Sequence, residues 1–168
     1  MIPMKKIATY CMAAFILLAS GCGTKQPKQP EKKSNFTGAA GEVKLITVDP
    51  GHFHAALVQK TMYDQVDPVV HVFAPDGPDL KDHLAKIDAY NTRADNPTRW
   101  NENVYAGGDF LEKMIEQKPG NVVVLSGNNA LKTEYILKSV EAGLNVLADK
   151  PMAISPDQFP VLETAFAK

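Results

Sequence analysis

The stretch that most constrains the fold is Val43-Lys44-Leu45-Ile46-Thr47-Val48-Asp49-Pro50-Gly51-His52-Phe53-His54-Ala55-Ala56-Leu57. Leu45, Ile46 and Val48 make a short apolar run without polar alternation, the pattern of a strand covered on both faces. Pro50-Gly51 turns the chain, and Ala55-Ala56-Leu57-Val58 starts a helix expected to end near Tyr63. Such a strand needs helices on both sides of its sheet. Its exit through a glycine turn into a helix is the opening of a nucleotide-binding α/β domain.

The same rhythm recurs downstream. Val69–Ala74 is a second strand, closed by Pro75-Asp76-Gly77-Pro78, and Asp79 is placed to cap a helix to about Tyr90 with Leu80, Leu84 and Ile87 on one face. Val104-Tyr105 is a brief strand, and Asp109 and Glu112 have capping-box spacing at the head of a helix to about Lys118. Residues 121–126 are the clearest buried strand, followed by a turn at Gly127-Asn128-Asn129. Leu131, Tyr135, Ile136 and Val140 mark one face of the next helix, which Gly143 stops. Residues 145–149 are the last strand, and Ser155-Pro156-Asp157-Gln158 opens a final helix. Strands alternating with helices of crossover length predict an α/β domain over residues 43–168, a Rossmann-like doubly wound parallel sheet.

One segment breaks the rhythm. Residues 91–103 are polar, with Arg93, Arg99 and the single tryptophan, Trp100. A connection of that length either carries a function or is a surface insertion whose Trp100 packs on the core.

Upstream, residues 1–22 combine Lys5-Lys6, an apolar run from Ile7 to Ala19 and small residues, the pattern of a secretory signal. Leu18-Ala19-Ser20-Gly21-Cys22 resembles a bacterial lipobox, which implies lipidation of Cys22, export and a place in the cell envelope held by a lipid anchor alone. No Arg-Arg pair marks twin-arginine export. Residues 23–42, rich in Lys, Gln, Pro, Ser and Gly, are expected to be a disordered linker.

Charge narrows the partners. The chain carries −1 overall, but residues 1–42 hold six lysines and two glutamates, which leaves −5 on the rest. An acidic domain without a basic stripe excludes nucleic acid as the expected partner. Both cysteines, Cys11 and Cys22, lie in the leader, so the domain has neither a disulfide nor a thiolate metal site.

In a sheet of this kind the ligand lies beyond the carboxyl ends of the strands. Asp49–His54, Asp76, Ser126–Asn129 and 149–151 converge there. Against G-x-G-x-x-G, the chain offers Asp49-Pro50-Gly51-His52-Phe53-His54, keeping only the middle glycine, which lets backbone approach a pyrophosphate. Asp49 and His54 crowd the other two places. Asp76 stands where an acid holds a ribose hydroxyl, or is simply a turn aspartate. His52 and His54 alternate as in some hydrolase metal sites. A barrel metallohydrolase needs roughly 250 residues, however. His71 and His83 are not in motif positions, so no metal is expected.

The C-terminal pattern is the most specific. Ser126-Gly127-Asn128-Asn129, a helix ending Glu141-Ala142-Gly143, and the strand running into Ala148-Asp149-Lys150-Pro151-Met152 resemble the Gfo/Idh/MocA oxidoreductases, the relatives of glucose–fructose oxidoreductase and inositol dehydrogenase. Asp149 stands for the family's glutamate in Glu-Lys-Pro, and Lys150-Pro151 is intact. The family's helix histidine is replaced, the nearest positions being Lys132 and Thr133.

The resemblance implies NAD or NADP, with Asp76 favouring NAD by repelling a 2′-phosphate. It implies that Gly51, His52, Phe53, Asp76, Ser126, Gly127, Asn128, Asn129, Asp149, Lys150 and Pro151 line the cofactor. Lys150 is then the catalytic cation beside the nicotinamide and a sugar-like or polyol hydroxyl, and Pro151 holds its backbone. A homo-oligomer is among the expected partners. The family's second, substrate-binding domain lies beyond Lys168, so the sequence is expected to be the first part of a longer protein. Two functions follow: the cofactor-binding part of an exported oxidoreductase, in one variant a glycosidase that regenerates its NAD, or a non-catalytic envelope lipoprotein that keeps the fold as a binding module.

Overall fold

The computed structural model describes residues 36–168. The expected signal, the Cys22 anchor and the linker up to residue 35 lie outside the described residues. Residues 36–42, at the end of the expected linker, form a tight turn. The Glu42 carboxylate accepts the backbone N–H groups of Thr37, Gly38 and Ala39 at 2.7–3.1 Å.

Five parallel strands follow: β1 (Leu45–Val48), β2 (Val69–Ala74), β3 (Asn101–Ala106), β4 (Val122–Leu125) and β5 (Asn145–Ala148). Their order is β3-β2-β1-β4-β5, so the short apolar run at the head of the domain is the central strand and all four of its residues are buried. Helices α1 (His54–Leu57), α2 (Pro78–Thr92), α3 (Phe110–Gln117) and α4 (Lys132–Glu141) fill the four connections, and α5 (Phe159–Phe166) follows β5.

Alternate residues of the central strands feed two cores. Ile46, Val48, Val123 and Leu125 pack with Phe110, Met114, Tyr135, Ile136 and Leu162 from α3, α4 and α5. Leu45, Val70 and Val124 pack on the other face with Ala56 of α1, Ile87 of α2 and Trp100. Helices on both faces of a parallel sheet make the fold doubly wound, as its strand pattern predicts.

Four local expectations differ. The strand expected at Val104-Tyr105 begins at Asn101, so residues 101–103 of the expected connection pair with residues 69–71 of β2. The helix after β1 ends at Leu57 rather than near Tyr63, because Val58, Gln59 and Lys60 turn away in short-range bonds such as Gln59 N–H to Ala56 O at 3.0 Å. Asp79 sits inside the first turn of α2, behind Gly77 at the cap position. Asp109 makes no side-chain cap for α3; its carboxylate accepts the Tyr105 hydroxyl at 2.6 Å instead.

The 91–103 segment is anchored rather than open. Trp100 is buried and its indole N–H donates to Gln59 O, while Asn91 bonds Thr98 and the Trp100 backbone. The adjoining surface cleft, about 600 Å³, has Arg93 in its wall, but that guanidinium is occupied by the Asn96 and Lys60 carbonyls.

Candidate functional site

The chain runs from β1 outward through β2 to β3, then crosses back to β4 and β5 on the other side. The loops leaving β1 and β4 therefore part at one point, where this architecture opens a ligand crevice. Here the two loops touch. His52 N–H donates to Ser126 O at 3.1 Å. Gly127, at φ +122°, lies so close that a β-carbon on it would fall 2.4 Å from Gly51 N. Gly51 in turn faces Asp79, whose carboxylate would stand 3.3 Å from a β-carbon there. Gly51 is needed for protein backbone to approach it as much as for a ligand.

Asp49 occupies the place of the first fingerprint glycine, at φ +45°. Its carboxylate is held within the protein: Oδ2 accepts Asn128 Nδ2 at 2.7 Å and the Tyr135 hydroxyl at 3.1 Å. Burial first, and the adjacent Asp49 charge second, raise the Tyr135 phenol well above its ordinary value, so it remains a donor.

Asp149, just past β5, gathers a second set. Its N–H continues the ladder to Leu125 O at 3.0 Å. Oδ2 accepts the Ser126 hydroxyl at 2.9 Å and meets His54 Nδ1 at 3.1 Å and His52 Nδ1 at 3.6 Å. Oδ1 is paired with the Lys132 ammonium, which has no solvent exposure. Burial pushes the Asp149 carboxyl up, but the bonds from Lys132, Ser126 and His54 together hold it below the ordinary aspartate value. A cavity of about 220 Å³ opens beside this group, lined by His54, Ser126 and Asp149 with Val58, Leu147 and Ala148 among its apolar walls.

The structure thus brings Gly51, His52, Ser126, Gly127, Asn128 and Asp149 together. Phe53 meets the His52 ring at a tilt and the His54 ring edge-on, with ring centroids 4.5 Å away, and is half exposed. Asp76, Asn129 and Lys150 are exposed and make no side-chain bond to this network among the described residues. Pro151 follows Lys150 through a cis peptide.

Sequence reasoning missed Lys132 and Tyr135. Their signal was present: Lys132, Tyr135, Ile136 and Ser139 share the i, i+3, i+4, i+7 face of α4, and all are buried. A lysine on that face needs an acid within reach, and the half-buried Asp149 supplies it.

The fold and this crevice define an α/β protein of the Rossmann-like class. The chain is similar to a "putative oxidoreductase from Parabacteroides merdae ATCC 43184", with 62% identity over 80% of this chain and a TM-score of 0.79. It also resembles in fold a "putative oxidoreductase from Thermotoga maritima", at 16% identity over 74% of this chain and a TM-score of 0.52. The chain spans 30% of the first protein's length and 35% of the second's. No protein-family model and no curated protein matches it.

Proposed function

We propose that the chain is the nucleotide-binding part of an oxidoreductase of the Gfo/Idh/MocA kind, moving hydride between a nicotinamide dinucleotide and a C–OH group of a sugar- or polyol-like substrate. One observation carries this reading. Asp149-Lys150-Pro151 leaves β5 at the carboxyl edge of the sheet, and Asp149 is tied to the crossed Gly51 and Gly127 loops through His54 and Ser126. The 62% identity to the Parabacteroides protein supports it.

The residues fit a dinucleotide in three respects. The crevice lies at the point where the strand order reverses. Asp76 stands exposed past β2 for the ribose hydroxyls. The Asp49 carboxylate is held back by two neutral donors, Asn128 and Tyr135, whose dipoles partly screen it from a pyrophosphate. Gly51 and His52 already give their N–H groups to Asp49 O and Ser126 O, so the Phe53 and His54 N–H groups would hold the pyrophosphate, with little dipole added by α1, a single turn. Ser126–Asn129 and 149–151 would face the nicotinamide, which accepts or supplies the hydride.

Lys150 makes no ion pair among the described residues, so its ammonium is free to polarise a substrate oxygen and favour its deprotonation. Export through a lipidated Cys22 belongs to the same proposal. A chain exported unfolded leaves its cofactor behind, so an envelope enzyme needs a tightly held, recycled dinucleotide, which suits a glycosidase that regenerates NAD. The short α1 favours a second reading, a binding module without catalysis.

Titrating the purified full chain with NADH, read by nicotinamide fluorescence, separates the two. Saturable binding that Gly51→Val weakens is the expected result. No binding by the folded protein removes the oxidoreductase reading.

A further inference from the structure

His52 and His54 leave the β1 loop at alternate positions, and Asp149 arrives from the end of β5. Both Nδ1 atoms converge on the same carboxylate oxygen, at 3.6 and 3.1 Å, and the three residues can each offer one ligand atom such that all lie within 4.8 Å of one another. The two imidazoles stand edge to face with centroids 4.2 Å apart. Ser126 and His54 already fill the two lone pairs of Asp149 Oδ2, so hydrogen bonding does not account for the approach of His52 as well. Atoms bound at about 2.1 Å to one ion, at tetrahedral or octahedral angles, stand about 3.0–3.5 Å apart. The two separations lie in or beside that range.

We propose that His52 Nδ1, His54 Nδ1 and Asp149 Oδ2 form a site for a divalent transition-metal ion of the zinc or ferrous type. Two imidazoles and one carboxylate suit such ions, whereas calcium and magnesium take all-oxygen sets and cuprous ion takes sulfur. The remaining oxygen of the carboxylate is fixed, as in built metal sites, by a hydrogen-bonding partner: Lys132 binds Oδ1 from within the core. The carboxylate therefore stands between the ammonium and the ion. Three protein ligands leave coordination positions open, and the 220 Å³ cavity against His54 and Asp149 is where water or a substrate oxygen would complete them.

The test is made on the full chain, stripped with chelator and dialysed. Zn²⁺ is titrated in competition with a chromophoric chelator, and Co²⁺ is added separately for its visible spectrum. One equivalent of Zn²⁺ is expected, with His52→Ala and His54→Ala each weakening it at least about tenfold and His71→Ala leaving it unchanged. Both site histidines are part-exposed, so their variants should keep the parent's circular dichroism. The Co²⁺ spectrum should show d–d bands without a thiolate charge-transfer band. Absent stoichiometric binding, equal binding by the His52 and His54 variants, or a thiolate band pointing to Cys11 and Cys22 would each overturn the site. No dinucleotide is present, so this result and the NADH titration stand apart.

Discussion

Lys132 and Asp149 close an ion pair at the end of β5 in which the lysine side chain has no solvent exposure and the aspartate keeps 17%. The two members are therefore unequal. Asp149→Asn strands a buried ammonium, whereas Lys132→Met leaves a carboxylate that still accepts Ser126 and meets His54. Urea unfolding should show Asp149→Asn losing about 3 kcal/mol or more and Lys132→Met distinctly less. The double variant should be more stable than Asp149→Asn alone. Equal losses in the two single variants would refute the asymmetry.

Gly127 is fixed by two independent constraints, its φ of +122° and the 2.4 Å approach to Gly51 N. Gly127→Ala must shift one loop away from the other, breaking the His52–Ser126 bond. A loss of about 2–3 kcal/mol is expected, with weakened NADH binding. Gly108→Ala is the control, because a β-carbon there meets nothing within 4 Å. Thermal melts of the two variants make the comparison.

Two buried groups give opposite pH dependences. Burial, then the nearby Lys86, pushes His83 down to about 4 from 6.5. Its contribution is complete above pH 6.5 and is lost as pH falls toward about 4. Burial raises Glu102 to about 7 from 4.5, against the bond from Gln59. Its contribution is complete below pH 4.5 and is lost as pH rises toward about 7. Each slope is worth on the order of 3 kcal/mol, and between 4.5 and 6.5 they oppose each other and nearly cancel. Relative to the parent, Glu102→Gln should grow less stable toward acid and His83→Gln less stable toward neutral pH. Urea titrations at several pH values would show this; parallel curves for both variants and the parent would contradict it.

Under the proposed function, Asp76 sets the choice of dinucleotide. Its exposed carboxylate past β2 should repel a 2′-phosphate. Asp76→Ser should move the ratio of NADH to NADPH affinity toward NADPH by about tenfold. An unchanged ratio in parallel titrations would take Asp76 out of the ribose site.

Much of the fold was legible in single residues. Leu45, Ile46 and Val48 marked the central strand, because only a strand covered on both faces drops polar alternation. Gly143 marked the end of α4, and it sits at φ +84° as a left-handed stop. The end of α1 was not legible, since Val58 and Met62 continue an apolar pattern that a helix and a packed turn share; both pack against the same core. At the site, Gly51, Ser126, Gly127 and Asp149 could be picked from their strand-end positions. Lys132 was named only as the position nearest a missing helix histidine, although it shares a buried face with Tyr135, Ile136 and Ser139.

The sequence alone determined the alternation of strands and helices and the sheet edge at which polar residues collect, because both follow from short-range periodicity and turn chemistry. Only the tertiary structure decided which of those residues meet. His52 and His54 reach Asp149 across 97 and 95 residues, and Asn128 reaches Asp49 across 79. Such pairings depend on which strands become neighbours. That choice is fixed by burying two apolar cores at once, a property of the whole chain that no local pattern encodes.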